Sequence, residues 1–302
     1  MQSGGSRCFG GAFIVYARSV GQVESEHAGA LPSSPVKRVA GLSVVLPAFN
    51  EELNVGPMVD ACLAVLPQLA DDYEVIIVDD GSTDGTAAIA RELVDRNRPR
   101  VRLLAHDRNR GYGAALRTGF QHATQELVFY TDSDRQFDVA ELAYFLPMMA
   151  GNDLVIGFRV YRYDRFFRTF VSWGYNRLVQ ILFRVRVRDV DCAFKLMRSE
   201  VIAKLPLQTD DFFIDTEIVA SARKWNFRIG EKGVRHYPRV AGETTVNAGD
   251  VTRTLATISR MWRRIYLPSA QQRAEADEVS RRIVAAEYEP EPVGASEPVA
   301  EP

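Results

Sequence analysis

The chain has 302 residues, of which 46% are hydrophobic and 25% are charged, and its formal net charge at pH 7 is −2. These values are ordinary for a globular protein with a substantial core, and they give no case for a nucleic-acid partner. Its three cysteines are widely spaced, which favours reduced thiols over a disulfide framework. No segment contains the roughly 18 to 20 consecutive apolar residues of a membrane span. We therefore expect a cytoplasmic protein, with peripheral contact to the membrane left open.

Regular structure is expected to begin near residue 42. Residues 1–38 are rich in Gly, Ser and Pro without a sustained period, which predicts a disordered leader. The apolar run 42–46 predicts a buried first strand. Asn50 can cap a helix that Glu51 and Glu52 open, because acids suit a helix N-terminus.

Strands and helices then alternate over residues 40–160. This order predicts right-handed crossovers and a mainly parallel sheet. The carboxyl ends of parallel strands share one edge, so the polar clusters that follow the strands should gather there. The predicted strands are 73–78, 101–105, 127–131 and 153–157, and the predicted helices are 87–97, 111–123 and 139–149.

Two later stretches combine arginines with apolar residues at helical spacing. Eight arginines and one acid, Asp164, lie between Arg159 and Arg188, and a second stripe falls within 246–270. Each pattern is typical either of a helix that packs its apolar side on the domain or of a basic amphipathic helix on an anionic membrane surface. Residues 271–302 are rich in Glu, Ala and Pro, which predicts a disordered acidic tail.

The segments between these stretches are less regular. Residues 189–196 form a mixed polar and apolar return segment, which leads to a short helix at 199–204 and a strand at 227–234. A helix within 211–225 carries Asp215 and Glu217 near its start. A surface acid at a helix N-terminus is common, so either acid is only a candidate general base.

Asp132 and Asp134 directly follow the predicted strand at 127–131. Two acids one residue apart in a loop can share a hard divalent cation, Mg²⁺ or Mn²⁺, and the amide oxygen of Gln136 can add a further ligand. An isolated pair of this kind is more often an ordinary polar loop. Its interpretation therefore depends on the motifs around it.

Four motifs in this order, at this spacing and at strand ends, resemble glycosyltransferase family 2, the inverting GT-A enzymes, over about residues 42–200. The resemblance implies an α/β fold of the GT-A type, with a mainly parallel nucleotide-binding sheet flanked by helices, C-terminal amphipathic helices and no transmembrane span. We place the GT-A domain at 39–245. The motifs are Pro47-Ala48-Phe49-Asn50-Glu51-Glu52, Val78-Asp79-Asp80-Gly81-Ser82-Thr83-Asp84-Gly85-Thr86, Asn109-Arg110-Gly111-Tyr112-Gly113-Ala114-Ala115 and Asp132-Ser133-Asp134.

Within the family the chain looks most like the dolichol-phosphate mannose synthase group. That group moves a sugar from a nucleotide donor to a polyprenyl phosphate, and the resemblance implies a metal on Asp132, Asp134 and Gln136. Arg159 and Arg239 match arginines that contact phosphate, and the expected catalytic residues are Asp134, Arg159 and Asp215. The residues expected to bind the nucleotide-sugar are Pro47, Ala48, Phe49, Glu51, Asp79, Asp80, Gly113, Asp132 and Ser133.

The nature of the acceptor decides whether a base is needed. A hydroxyl must lose a proton during attack, whereas a polyprenyl phosphate is already anionic and needs arginines to position it. The arginine content therefore favours a polyprenyl phosphate as the acceptor. Together with this acceptor, the resemblance implies inverting transfer of a hexose, mannose or glucose, from a GDP- or UDP-sugar at the cytoplasmic face of a membrane. The alternative within the family is transfer to a hydroxyl of a soluble glycan, lipid or protein.

Some positions depart from the group. Ala193 and Lys195 stand where Gly and Arg are common, and Arg135 stands where an apolar residue is usual, so the finer assignment is less secure than the family. A dinucleotide-dependent oxidoreductase is disfavoured because Gly111 and Gly113 are not followed by a third glycine at the fingerprint spacing. A non-catalytic nucleotide-sugar-binding scaffold at a membrane stays open.

Overall fold

The computed structural model describes residues 37–160, 166–238 and 251–267. Residues 1–36 of the predicted leader, the predicted acidic tail and Arg239 lie outside these ranges, as does the predicted domain boundary at 245. Within the described ranges, no helix combines the length and the apolar composition needed to cross a bilayer.

A single sheet of seven strands forms the centre of the described chain, in the order β3-β2-β1-β4-β6-β5-β7. The first four strands are parallel to one another, and β6 runs antiparallel to both β4 and β5. The expectation of a mainly parallel sheet flanked by helices is confirmed. The strands are β1 (Val39–Ala48), β2 (Ala70–Asp79), β3 (Val101–Ala105), β4 (Leu127–Thr131), β5 (Leu154–Arg159), β6 (Phe194–Arg198) and β7 (Ile229–Val234).

Helices cover the sheet, and their apolar residues recur at the spacing that one helix face requires. In the first helix the buried residues include Val55, Val59, Cys62, Leu66 and Leu69. The helices are α1 (Val55–Leu69), α2 (Thr86–Arg96), α3 (Tyr112–His122), α4 (Phe166–Phe183), α5 (Ser199–Lys204), α6 (Ile214–Lys224) and α7 (Val251–Tyr266).

Central strands such as β4 are buried along their whole length, which explains their continuous apolar sequence. Helix α3 lies very close to the sheet at Gly119. A Cβ atom at this position would be 2.3 Å from Val45 Cγ1, so only glycine allows the observed packing distance.

Two local predictions were wrong, and one strand was not predicted. The helix predicted from Glu51 begins only at Val55, and Asn50, with φ of 56°, instead accepts a hydrogen bond from the Thr83 amide. The helix predicted at 139–149 is two 3₁₀ segments, Val139–Tyr144 and Leu146–Ala150, with a proline at the start of the second. The return segment 189–196 contains the start of β6, which inserts between β4 and β5.

Candidate active site

The polar motifs converge on one edge of the sheet. Strands β1 to β4 are parallel and end there, and β6, which runs the other way, begins there opposite Thr131. Strands β5 and β7 also end at this edge, because β5 is antiparallel to β6 and β7 is parallel to β5. The edge therefore collects the loops after Ala48, Asp79, Thr131 and Arg159. An open sheet binds its ligands at such an edge.

The loop after β4 is held against the end of β1. The Ser133 hydroxyl donates to the Pro47 carbonyl at 2.8 Å, and the Ser133 side chain is buried. Arg135 is exposed and has φ of 63°, so the chain turns sharply after Asp134. The Gln136 amide donates to Asp134 Oδ1 at 3.1 Å, and its side-chain nitrogen donates to the Tyr237 carbonyl at 3.0 Å.

Asp132 and Asp134 form a partly buried acidic pair. Burial, together with the charges of Asp134 and Asp215, raises the pKa of the Asp132 carboxyl from 3.8 to about 8. The buried Tyr112 hydroxyl lies close to Asp132 but makes no hydrogen bond of good geometry. A cation between the acids would relieve the repulsion that raises this pKa.

The donor set fits a hard divalent cation. Oxygen ligands suit Mg²⁺ and Mn²⁺, which commonly bind one or two carboxylates together with phosphate oxygens of the substrate. Among the described residues, no three His, Cys, Asp or Glu side chains form a metal-binding group. The pair Asp132 and Asp134 would therefore depend on ligand oxygens for the rest of the coordination shell.

Asp79 and Asp80, at the end of β2, differ in their hydrogen bonding. Both oxygens of Asp80 accept backbone hydrogen bonds, from the amides of Arg110 at 2.9 Å and Gly111 at 2.8 Å. Its Oδ1 also lies 2.6 Å from His106 Nδ1. Asp79 accepts a hydrogen bond from the Ser82 amide at 3.1 Å. Asp80 thus fixes the loop that leads into α3, and its expected contact with the nucleotide stays a prediction.

Gly113 lies at the start of α3 and is covered by the segment 209–211. Its amide donates to the Asp210 carbonyl at 2.8 Å, and a Cβ atom here would be 2.3 Å from the Thr209 carbonyl oxygen. Gly111 has φ of 100°, a conformation that glycine adopts without strain. In this arrangement the two glycines allow close packing, and the nucleotide contact expected of Gly113 stays a prediction.

A buried ion pair lies beneath the acidic loop. Lys195, which is fully buried on β6, forms an ion pair with Asp215 at the start of α6, and its ammonium also donates to the Cys192 carbonyl at 2.7 Å. The Tyr130 hydroxyl donates to Asp215 Oδ1 at 2.5 Å. Tyr130 and Lys195 are cross-strand partners. Asp215 is therefore buried and paired, contrary to the surface location that its helix position suggested.

Sequence reasoning missed Lys195 as part of this arrangement. The available signal was a lysine between two apolar residues, Phe194 and Leu196, in what proved to be a central strand. A charged residue at such a position needs a buried partner. Only the fold identifies Asp215, twenty residues later, as that partner.

Glu217, the other candidate base, is also fully engaged. Its carboxylate pairs with Arg264 of α7 and accepts hydrogen bonds from the amides of Gln208 at 3.1 Å and Thr209 at 2.9 Å. Its side chain is fully buried. Glu217 thus joins α6 to α7 and to the segment that covers Gly113.

Arg159, at the end of β5, forms a two-pronged ion pair with Asp189. Its Nε and Nη2 atoms donate to the two carboxylate oxygens at 2.6 and 2.7 Å. The neighbouring acid Asp191 is partly buried, and burial together with Asp215 and Asp189 raises its pKa to about 7. Neither Asp189 nor Asp191 was singled out by the sequence motifs.

The remaining predicted residues lie at the same edge. Phe49 is half-buried, and the Ala48 carbonyl accepts a hydrogen bond from the Asp80 amide at 2.9 Å. Glu51 accepts a hydrogen bond from the Asn54 side chain at 2.6 Å, and its amide donates to the Thr86 hydroxyl at 2.8 Å. The first two motifs are therefore joined directly.

Comparison with known sequences identifies a family and its relatives. The profile of Glycosyl transferase family 2 matches residues 43–205, just over half of the chain. Dodecaprenyl-phosphate galacturonate synthase of Rhizobium johnstonii is 33% identical over 220 residues, which cover 72% of this chain and 64% of the relative. Dolichyl-phosphate beta-glucosyltransferase of Drosophila melanogaster is 33% identical over 216 residues, which cover 64% of this chain and 66% of the relative. The chain thus spans slightly less than two thirds of each relative.

Solved structures with the same fold include glucosyl-3-phosphoglycerate synthase from Mycobacterium tuberculosis in complex with uridine diphosphate. Its TM-score to this chain is 0.60 at 19% sequence identity, and the match covers 77% of this chain and 86% of that one. The same enzyme in complex with Mn²⁺, uridine diphosphate and phosphoglyceric acid gives a TM-score of 0.55 at 19% identity, over 80% of this chain and 82% of that one. At this level of identity the similarity establishes the fold alone.

Proposed function

The chain belongs to glycosyltransferase family 2, and on that premise we propose that it transfers a sugar from a nucleotide-sugar to a polyprenyl phosphate. The observation that carries the proposal is the pair Asp132 and Asp134, two crowded carboxylates at the ligand-binding edge of the sheet. In the reaction the bond between the sugar C1 and the donor diphosphate breaks. A bond from C1 to an acceptor phosphate oxygen forms on the opposite face, and the nucleoside diphosphate leaves.

Asp132 and Asp134, with Gln136, would hold Mg²⁺ or Mn²⁺ beside the diphosphate. When bound, such an ion supplies Lewis-acid stabilisation of the leaving group. Ser133 supports the loop through its bond to the Pro47 carbonyl, and Gln136 is oriented by the Tyr237 carbonyl. The ends of β1 and β2 would bind the nucleoside, with the partly satisfied Asp79 as acceptor rather than Asp80.

The proposed acceptor agrees with the state of the two predicted bases. Asp215 is paired with Lys195 and Tyr130, and Glu217 with Arg264, so neither is poised to take a proton from a substrate. A phosphate acceptor needs no such base. Two of the relatives bear names that specify dodecaprenyl and dolichyl phosphate, and we extend this acceptor class to the present chain.

The proposed donor is a GDP- or UDP-hexose that carries glucose or mannose. The proposed transferase unit is 39–245. Its predicted phosphate contacts are Arg159, whose pair with Asp189 occupies two of its nitrogens, and Arg239, which lies outside the described residues.

A second candidate function, transfer to a hydroxyl, is favoured by one observation. Asp191 has a pKa of about 7, which suits a general base at neutral pH. It lies near the Thr216 hydroxyl, which in turn contacts the Tyr175 hydroxyl at 2.7 Å. Hydroxyl transfer would depend on Asp191, and phosphate transfer would not.

Acceptor competition tests the proposal. Purified protein with Mn²⁺ or Mg²⁺ and a panel of GDP- and UDP-hexoses should glycosylate undecaprenyl or dolichyl phosphate and leave simple sugar acceptors unmodified. Asp191→Asn should retain most of the transfer to lipid phosphate. Turnover on hydroxyl acceptors alone, lost in Asp191→Asn, would reject the phosphate acceptor in favour of the second candidate.

A further inference from the structure

We propose that the C-terminal ends of α4, α6 and α7 together form a surface that docks on an anionic lipid bilayer. The inference rests on the proposed function in one respect, because a polyprenyl phosphate acceptor is found in a membrane. It adds which face of the protein meets that membrane. We call this face the basic aromatic surface and define it by Ile181, Leu182, Arg184, Arg223, Lys224, Trp262, Arg263, Tyr266 and Leu267.

Tyr266 is the centre of the surface, because side chains from all three helix ends surround it. Its hydroxyl donates to the Phe183 carbonyl at 2.8 Å, and its ring stacks on Trp262 with centroids 5.6 Å apart. The ammonium of Lys224 lies 5.3 Å from the ring centroid, and Arg184 and Arg223 act electrostatically on the hydroxyl. Cations and aromatic tips thus occupy one continuous patch.

The inner face of α7 is packed on the protein, which leaves its basic face outward. Ile258, Met261 and Ile265 are buried, and the Trp262 indole donates to the Leu182 carbonyl at 3.2 Å. Arg263 is exposed on the other side. The described part of α7 therefore packs its apolar side on the domain and exposes its basic side at the same time.

The charge of the surface is unusually one-sided. Residues 174–188, 218–228 and 256–267 contain ten basic residues and no acid. Two of the ten, Arg228 and Arg264, pair with acids from other segments. Several exposed arginines elsewhere pair with acids, as Arg96 does with Glu92 and Arg98 with Asp95. The nine residues of the basic aromatic surface include four of these ten and no acid, within a protein whose net charge is −2.

Exposed aliphatic side chains distinguish a bilayer from a nucleic acid as the partner. Ile181 and Leu267 are 61% and 65% exposed, on the ends of α4 and α7. A nucleic acid would offer them little apolar surface, whereas the boundary between head groups and acyl chains would bury them. Trp262 and Tyr266, with basic residues around them, add the composition typical of a protein face at a membrane interface.

The surface is separate from the acidic loop. Helix α6 begins beside Asp215 and ends at Lys224, a span of roughly 13 Å at 1.5 Å per residue. Substitutions on the surface therefore leave Asp132, Asp134 and their neighbours untouched. Membrane binding and transfer can be measured independently.

Vesicle co-sedimentation of the full chain tests the proposal. The protein should bind vesicles of equal parts phosphatidylcholine and phosphatidylglycerol, bind phosphatidylcholine alone much less, and lose binding as salt rises. Replacing Arg184, Arg223 and Lys224 by Gln should weaken binding on the order of 100-fold, since each basic residue near an anionic surface is worth roughly fivefold. The matched control, Arg91→Gln with Arg96→Gln and Arg98→Gln on the α2 side, should bind like the wild type.

A second variant tests the apolar contribution. Ile181→Asn with Leu267→Asn removes two exposed side chains, so the fold should be retained while vesicle binding falls at least several-fold. Equal binding by the surface variants and the control would overturn the proposal. So would binding to heparin without binding to anionic vesicles, because that result would assign the surface to a polyanion.

Transfer in detergent separates this inference from the proposed function. With a short-chain polyprenyl phosphate dispersed in micelles, the wild type and the surface variants should have the same rate. A wild type that transfers but does not bind vesicles would refute the docking surface alone. A wild type that binds vesicles but modifies no polyprenyl phosphate would refute the proposed function alone.

Discussion

Two acids follow the parallel strands on either side of β1, Asp80 after β2 and Asp134 after β4, and their surroundings differ. Asp80 accepts two backbone hydrogen bonds and contacts His106, so both of its carboxylate oxygens have partners inside the protein. Asp134 lies beside Asp132, whose pKa it helps to raise. The same residue type at the same edge therefore fixes a loop at Asp80 and, in our proposal, binds the cation at Asp134.

The difference lies in what each carboxylate faces, which is two backbone amides at Asp80 and the charge of a second carboxylate, Asp132, at Asp134. A carboxylate with two or three donors is stabilised in its charged form and becomes part of the architecture. Two carboxylates that face each other store repulsion, which an external cation can relieve. The acids most suited to bind a cation are thus those whose mutual repulsion the fold does not relieve.

Removing one carboxylate of the strained pair should have the largest effect. Asp134→Asn should lower the rate of sugar transfer on the order of 1,000-fold, the scale of losing one group that stabilises developing charge. The free energy of unfolding without metal should stay equal or rise, because repulsion is removed. Initial rates, Mn²⁺ titration calorimetry and urea unfolding measure these quantities. Asp71→Asn, at an exposed position, is the control, and full activity in Asp134→Asn would end the distinction between the two acids.

For Asp80 the expected loss is in stability. Asp80→Ala leaves the amides of Arg110 and Gly111 without their acceptor and should lower the free energy of unfolding by about 3 kcal/mol. Asp80→Asn keeps one acceptor oxygen and should cost about 1 kcal/mol. Urea unfolding checks both values. A variant with unchanged stability but lost nucleotide binding would show that Asp80 is a ligand contact after all.

The fold was largely predictable because its signals are local. Continuous apolar runs such as 42–46 and 127–131 require strands buried on both faces, and alternation with helices requires a mainly parallel sheet. The failures came where local pattern competes with tertiary context. A proline divides the predicted helix at 139–149, and β6 could not be recognised because Lys195 interrupts its apolar character.

The candidate site was predictable as a set of strand ends, but the roles of its members were not. Sequence placed Asp79, Asp80, Asp132 and Asp134 at one edge, and the strand order confirms that edge. The sequence could not reveal that Asp80 accepts hydrogen bonds from the distant loop at Arg110 and Gly111, or that Asp215 pairs with Lys195. Those facts depend on contacts between residues twenty or more positions apart.

The smallest expected effect is the pH dependence that Asp132 gives to the unfolding free energy. The Asp132 pKa is about 8 in the folded protein and 3.8 for the ordinary carboxyl, so between these values the folded state retains a proton that the unfolded state has lost. Unfolding free energy should therefore fall as pH rises from 4 to 8 and level off above 8. We expect the unfolding free energy to fall by about 1 kcal/mol over this range, because the partly exposed Asp132 keeps contact with water, which screens the repulsion.

Asp132→Asn should remove this dependence. The variant should match the wild type near pH 4 and be more stable near pH 9, by about 2 to 4 °C in Tm for each kcal/mol. Mn²⁺ should stabilise the wild type at pH 9 and have less effect on the variant, since the cation replaces the missing proton between the two acids. Parallel Tm curves for the two proteins across this range would mean that groups of the protein itself already offset the repulsion between Asp132 and Asp134.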